Sequence, residues 1–137
     1  MVPFVNHNVK KKFDAYPADV RLKLLVLREL IFGVAASNHA IGPLEETLKW
    51  DEPSYIPSQS KSGSMVRIDW KKQTPDNYYL YFLCTTTIVA QIRYRFGDAF
   101  IYSGNRALVF DVEKDSSWVD VCECVELAFT YYLKKHK

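Results

Sequence analysis

The sequence predicts an α+β fold: two long helices packed on one face of a mostly antiparallel sheet, in the order α-α-β-β-β-α-β-β-α. Three observations predict it. Val20, Leu24, Leu27, Ile31 and Val34 recur at helical spacing between Pro17 and Ala36. Met65 to Lys71 and Tyr78 to Leu83 alternate as strands do, on either side of the turn residues Thr74-Pro75-Asp76-Asn77. Trp118, Cys122, Val125, Phe129 and Tyr132 set a second helical stripe between Ser117 and Lys134.

The elements follow in chain order. Residues 1–12 read as a basic N-terminal tail carrying Lys10, Lys11 and Lys12, and 13–137 as a single domain. Pro17 suits the first turn of the first helix, where its missing N–H costs nothing. Leu22, Leu25, Val26 and Leu30 widen the apolar arc, so this helix is expected to be covered on more than one side. Leu44 to Trp50 reads as one or two helical turns, and Pro53 opens an extended stretch through Tyr55 and Ile56. Ser58 to Ser64 reads as a flexible turn.

In the next strand Val66, Ile68 and Trp70 face one way, Arg67 and Asp69 the other; it forms a hairpin-like pair with Tyr78 to Leu83. Thr87 to Phe96 is a short helix closed by Gly97. Phe100 to Tyr102 and Ala107 to Val112 are strands joined at Ser103-Gly104-Asn105. Ser117, with Asp120 three residues on, caps the last helix, and Lys134, Lys135 and Lys137 complement its negative end.

Composition narrows the class. A chain of 137 residues, 48% hydrophobic and 25% charged, builds one core without covalent staples. The formal charge of +2 is too small to point to nucleic acid or an anionic membrane. Three cysteines, an odd count without regular spacing, argue against a disulfide framework and for a reducing cytoplasm. Cys84 reads as a buried thiol; Cys122 and Cys124, two apart on a helix, point in different directions. The longest uncharged stretch, Asn77 to Ile92, is shorter than the ~20 residues a spanning helix needs.

Standard catalytic and cofactor motifs are absent from the chain. Gly33, Gly42, Gly63, Gly97 and Gly104 are scattered and make no phosphate loop. There is no His-Glu-x-x-His helix, no Cys-x-x-Cys pair and no Gly-x-Ser-x-Gly elbow. His7, His39 and His136 share no motif and read as surface residues. No catalytic residue and no cofactor is assigned.

Three features carry chemistry. Glu45-Glu46-Thr47-Leu48-Lys49-Trp50-Asp51-Glu52 packs four carboxylates beside an indole; it could suit acid–base work, but reads first as a solvated helical turn with Trp50 plugging the core. Arg67 and Asp69 lie across from Tyr79 and Tyr81 on the next strand. A guanidinium beside phenols receives an anionic or planar group, though such pairs also simply stabilise sheets. Gly104-Asn105-Arg106 puts an amide and a cation at a turn.

These pieces resemble the bacterial YdhG-like family, a domain of unknown function, from about Phe13 onward. The resemblance rests on Tyr16-Pro17, Glu45-Glu46-x-Leu48-Lys49-Trp50-x-x-Pro53-Ser54-Tyr55, Met65-Val66-Arg67-Ile68, Tyr81-Phe82 with Thr85-Thr86, and Gly104-Asn105-Arg106-Ala107. It implies a frataxin-like sandwich, and for some relatives an intracellular iron-chaperone role. Such a role needs an acidic ridge on the first helix, which here carries Arg21, Lys23 and Arg28 against Asp19 and Glu29. Iron would then fall to Glu45, Glu46, Asp51 and Glu52.

The leading expectation is a non-enzymatic binding domain. Its site would be the open sheet face, with Glu46, Trp50, Arg67, Tyr81, Asn105 and Arg106 around a small anionic or polar ligand. The alternatives are the iron chaperone and an enzyme pairing a Glu46 base with an Arg67 clamp. The partner is an unidentified small ligand or protein, with nucleic acid and membrane excluded and the oligomeric state open.

Overall fold

The computed structural model describes residues 1–135; His136 and Lys137 lie outside the described residues, as do the side chains of Lys134 and Lys135. The helices are α1 (His7–Ala15), α2 (Ala18–Ala36), α3 (Ile88–Phe96), α4 (Trp118–Phe129) and α5 (Tyr131–Lys135). The strands are β1 (Glu45–Lys49), β2 (Glu52–Ile56), β3 (Val66–Trp70), β4 (Asn77–Phe82), β5 (Ile101–Ser103) and β6 (Ala107–Asp111). They form one antiparallel sheet in the order β1-β2-β3-β4-β6-β5. The chain is therefore α+β, with helices early and late around a six-stranded sheet.

Period-2 alternation divides the sheet into two faces. Ile68, Leu80 and Leu108 pair across β3, β4 and β6, are wholly buried, and share one core with Leu24, Leu27, Ile31, Val121, Val125 and Phe129 of the helices. Arg67, Tyr81 and Ala107 form a row on the other face, and Asp69, Tyr79 and Val109 the next. The five residues that predict α2, from Val20 to Val34, are all buried. Its widened arc is not fully covered: Leu22 is 67% and Val26 48% exposed.

Several local expectations fail. Residues 7–12 are not a free tail but most of α1. Asn6 caps that helix by accepting from the Asn8 and Val9 amides, and Val9 and Phe13 drop into the core. The leading residues are strapped down too, because Arg28 donates to the carbonyls of Val2 and Pro3 while its guanidinium lies 3.8 Å from the Phe4 ring.

Residues 45–49 form a strand rather than a helical turn. Pairing with β2 in the register Glu46↔Tyr55 and Lys49↔Glu52 overrides the helix propensity of Glu, Leu and Lys.

Ser58 to Ser64 docks on the end of α4. Ser62 Oγ donates to the Phe129 carbonyl at 2.6 Å, and the Ser64 amide to that of Ala128. These bonds satisfy carbonyls that a helix end leaves open. A Cβ on Gly63 would sit 2.2 Å from the Ala128 oxygen, so only glycine permits the approach.

The last helix breaks at Thr130, whose hydroxyl bonds back to the Glu126 carbonyl at 2.7 Å. Its buried face is Val121, Cys124, Val125, Ala128 and Phe129; Trp118 and Cys122 are only partly covered and Tyr132 is 37% exposed. Ser117 stands at the N-cap without a side-chain capping bond. Cys84 is exposed, because β4 ends at Phe82 and the thiol falls in the following turn. Among the described residues no helix is long and apolar enough to cross a membrane.

Candidate functional site

The site starts from a two-residue turn. Trp50 and Asp51 join β1 to β2, and both take positive φ, 51° and 61°. This is the backbone sense of a type I′ hairpin, which Asn-Gly fills without strain. A bulky indole in that conformation is an outlier, and strain of this kind gathers at ligand-handling sites. The turn leaves Trp50 71% exposed, against the expectation that it plugs the core.

Arg67 lies beneath it. The guanidinium sits 4.7 Å from the Trp50 ring and 5.4 Å from that of Tyr81, its partner on β4. Its Nε donates to Glu52 at 2.8 Å. Its Nη1 is buried and has no hydrogen-bond partner among the described residues. Such a donor stays costly until an acceptor reaches it. Lys71, two residues on from Asp69 along the same face, bridges Glu52 at 2.8 Å and Asp69 at 2.9 Å. Burial opposes its charge, but the bonds to Glu52 and Asp69 win and hold its pKa above that of an ordinary lysine. Burial also pushes the Tyr81 phenol up to about 12, so this wall stays a neutral donor at neutral pH.

These groups border a hollow of about 430 Å³ on the open sheet face, lined by Trp50, Glu52, Arg67, Lys71, Tyr81 and Arg106, with Leu83 and Cys84 at its side. Arg106 arrives from the β5–β6 turn because its carbonyl accepts the Phe82 amide at 2.7 Å. It is exposed and has no carboxylate partner among the described residues. Aromatic walls, a buried unpaired N–H and a free cation together suit a flat anion.

Of the six residues expected on this face, Trp50, Arg67, Tyr81 and Arg106 meet in the hollow. Asn105 stands beside it as a strut, donating to the Cys84 carbonyl at 3.3 Å. Glu46 is on the opposite face. It pairs with Tyr55 in the row that holds Val66 and Phe82, and binds Arg28 through bonds of 2.6 and 2.9 Å. The Glu46–Arg67 acid–base pairing is thereby removed. Glu52 takes the carboxylate's place beside Arg67. Sequence reasoning passed over Lys71, although 67, 69 and 71 share one face by strand alternation.

The four carboxylates proposed for iron do not fit that ion. Glu45 and Glu46 point to opposite faces; Glu46 is held by Arg28, Asp51 by Lys12, and Glu52 by Arg67 and Lys71. Among the described residues no three His, Cys, Asp or Glu side chains are placed to share a metal ion. A larger hollow, about 600 Å³, runs between α2 and α4, but its walls are apolar apart from Ser37, Glu123 and Glu126 and include no cation.

The chain matched no family model, no curated protein and no solved structure. The YdhG-like resemblance thus stands on its short motifs alone.

Proposed function

We propose that this protein is a binding domain for a small, flat anion, held on the open sheet face between Trp50, Tyr81, Arg67 and Arg106. One observation carries the reading: the buried, unpaired Nη1 of Arg67 beside a hollow that two aromatic rings border. Glu52 fixes the guanidinium through Nε, and a carboxylate, sulfonate or phosphate reaches the unpaired Nη1 by displacing the groups that now cover it. The rings hold the flat body and Arg106 supplies the second contact. Cys84 is the one thiol on this hollow and no histidine lines it among the described residues, and the reading is of binding.

The test is calorimetric titration with naphthalene-2-sulfonate. Saturable one-site binding is expected, weakened about tenfold by Arg106→Ala, the loss of one charge-assisted contact. Arg106 is exposed, so that variant folds. The probe should also slow alkylation of Cys84 at the hollow's side. Binding that ignores both Arg106→Ala and Trp50→Ala, or leaves Cys84 equally reactive, would place the probe elsewhere and end the proposal.

A further inference from the structure

We infer that the ligand is an elongated dianion, a flat body with one anionic group at each end, lying across Trp50. This rests on the binding reading above and names the ligand's shape and charge. The supporting geometry is a second hollow of about 320 Å³ that also borders the Trp50-Asp51 turn. Trp50 and Lys71 belong to the walls of both. The second hollow adds Lys12, Tyr16, Trp70 and Lys72. The two hollows therefore adjoin at Trp50 and Lys71, with the exposed indole bordering both.

Charge decides what suits this pair of hollows. Lys12, Arg67, Lys71, Lys72 and Arg106 face it, against Asp51, Glu52 and Asp69. The surplus of two cations equals the formal net charge of the entire chain, +2. The carboxylates are already engaged: Asp51 holds Lys12 at 3.1 Å, and Glu52 and Asp69 hold Lys71 and Arg67. Asp69 also accepts the buried Tyr16 hydroxyl. The cations left without a carboxylate partner among the described residues are Arg106 in the first hollow and Lys72 in the second. One free cation in each of two adjoining hollows, with the indole common to both, matches a rigid dianion better than a single anion. A monoanion fills one hollow and leaves the other cation unanswered.

The experiment compares naphthalene-2-sulfonate with naphthalene-2,6-disulfonate, which adds a second anion at the far end of the same ring. The disulfonate is expected to bind at least tenfold more tightly. Lys72→Ala should abolish that gain and leave the monosulfonate unchanged, whereas Arg106→Ala should weaken both. Equal affinity for the two probes, or a gain that survives Lys72→Ala, overturns the dianion inference while leaving the single-hollow reading intact. Failure of both probes to bind removes the single-hollow reading, and this inference with it.

Discussion

Arg28 and Glu46 close a two-point ion pair on the helix side of the sheet, with N–O separations of 2.6 and 2.9 Å. Arg28 is wholly buried, and Tyr55 adds its hydroxyl to the same carboxylate at 2.8 Å. The pair ties α2 to β1, and through the Val2 and Pro3 carbonyls it also holds the leading residues. Glu46 therefore works as a structural anchor.

Removing the carboxylate leaves the buried Arg28 guanidinium with Glu29, at 3.3 Å, as its remaining ionic partner. Glu46→Ala should destabilise the fold by about 3–5 kcal/mol, whereas Glu45→Ala, on the exposed face of the same strand, should stay within about 0.5 kcal/mol. Urea unfolding of the two variants side by side measures the difference. Equal losses would mean that the pair contributes nothing beyond a surface charge.

The Trp50-Asp51 turn stores strain that glycine relieves. Asp51→Gly gives up only the exposed contact with Lys12 and frees a positive-φ residue. It should stabilise the protein by about 1 kcal/mol and raise Tm by roughly 3–5 °C. Thermal melts decide the matter, and an unchanged or lowered Tm would show that the turn is not strained.

Alkaline pH should unfold the protein through groups buried in their neutral form. Burial, and then the Asp69 charge, push the Tyr16 phenol up; burial, and then Glu46, do the same to Tyr55. Burial raises Tyr78 from 10.0 to about 12, and Cys124 from 9.0 to about 12. Above pH 9 the unfolded chain releases these protons and the folded chain keeps them. The unfolded state then binds fewer protons, so stability is whole below that pH and falls as pH rises toward 12. Urea midpoints measured from pH 8 to 11 should decline, with a shallower slope in Tyr16→Phe. A flat profile would contradict the burial of these groups.

Much of the architecture was legible because it is local. The spacing of Val20 to Val34 and the alternation of β3 and β4 each report which side of an element meets the core. The β1 segment was misread because its residues favour helix in isolation and become a strand only against β2. The register then set the fate of its carboxylates. A shift of one residue exchanges the two faces, so Glu46 went inward to Arg28 and Glu45 outward.

The sequence by itself determined an α+β chain, the buried faces of α2, β3 and β4, and the presence of Arg67 beside Tyr81 across one hairpin. Only the tertiary structure decided that Trp50 and Arg106, brought from two distant turns, would join them around one hollow, and that Glu52 and Lys71 would stand where Glu46 was expected. The reason is physical. Periodicity is written into neighbouring residues, whereas convergence depends on strand order, register and turn geometry between segments far apart in the chain.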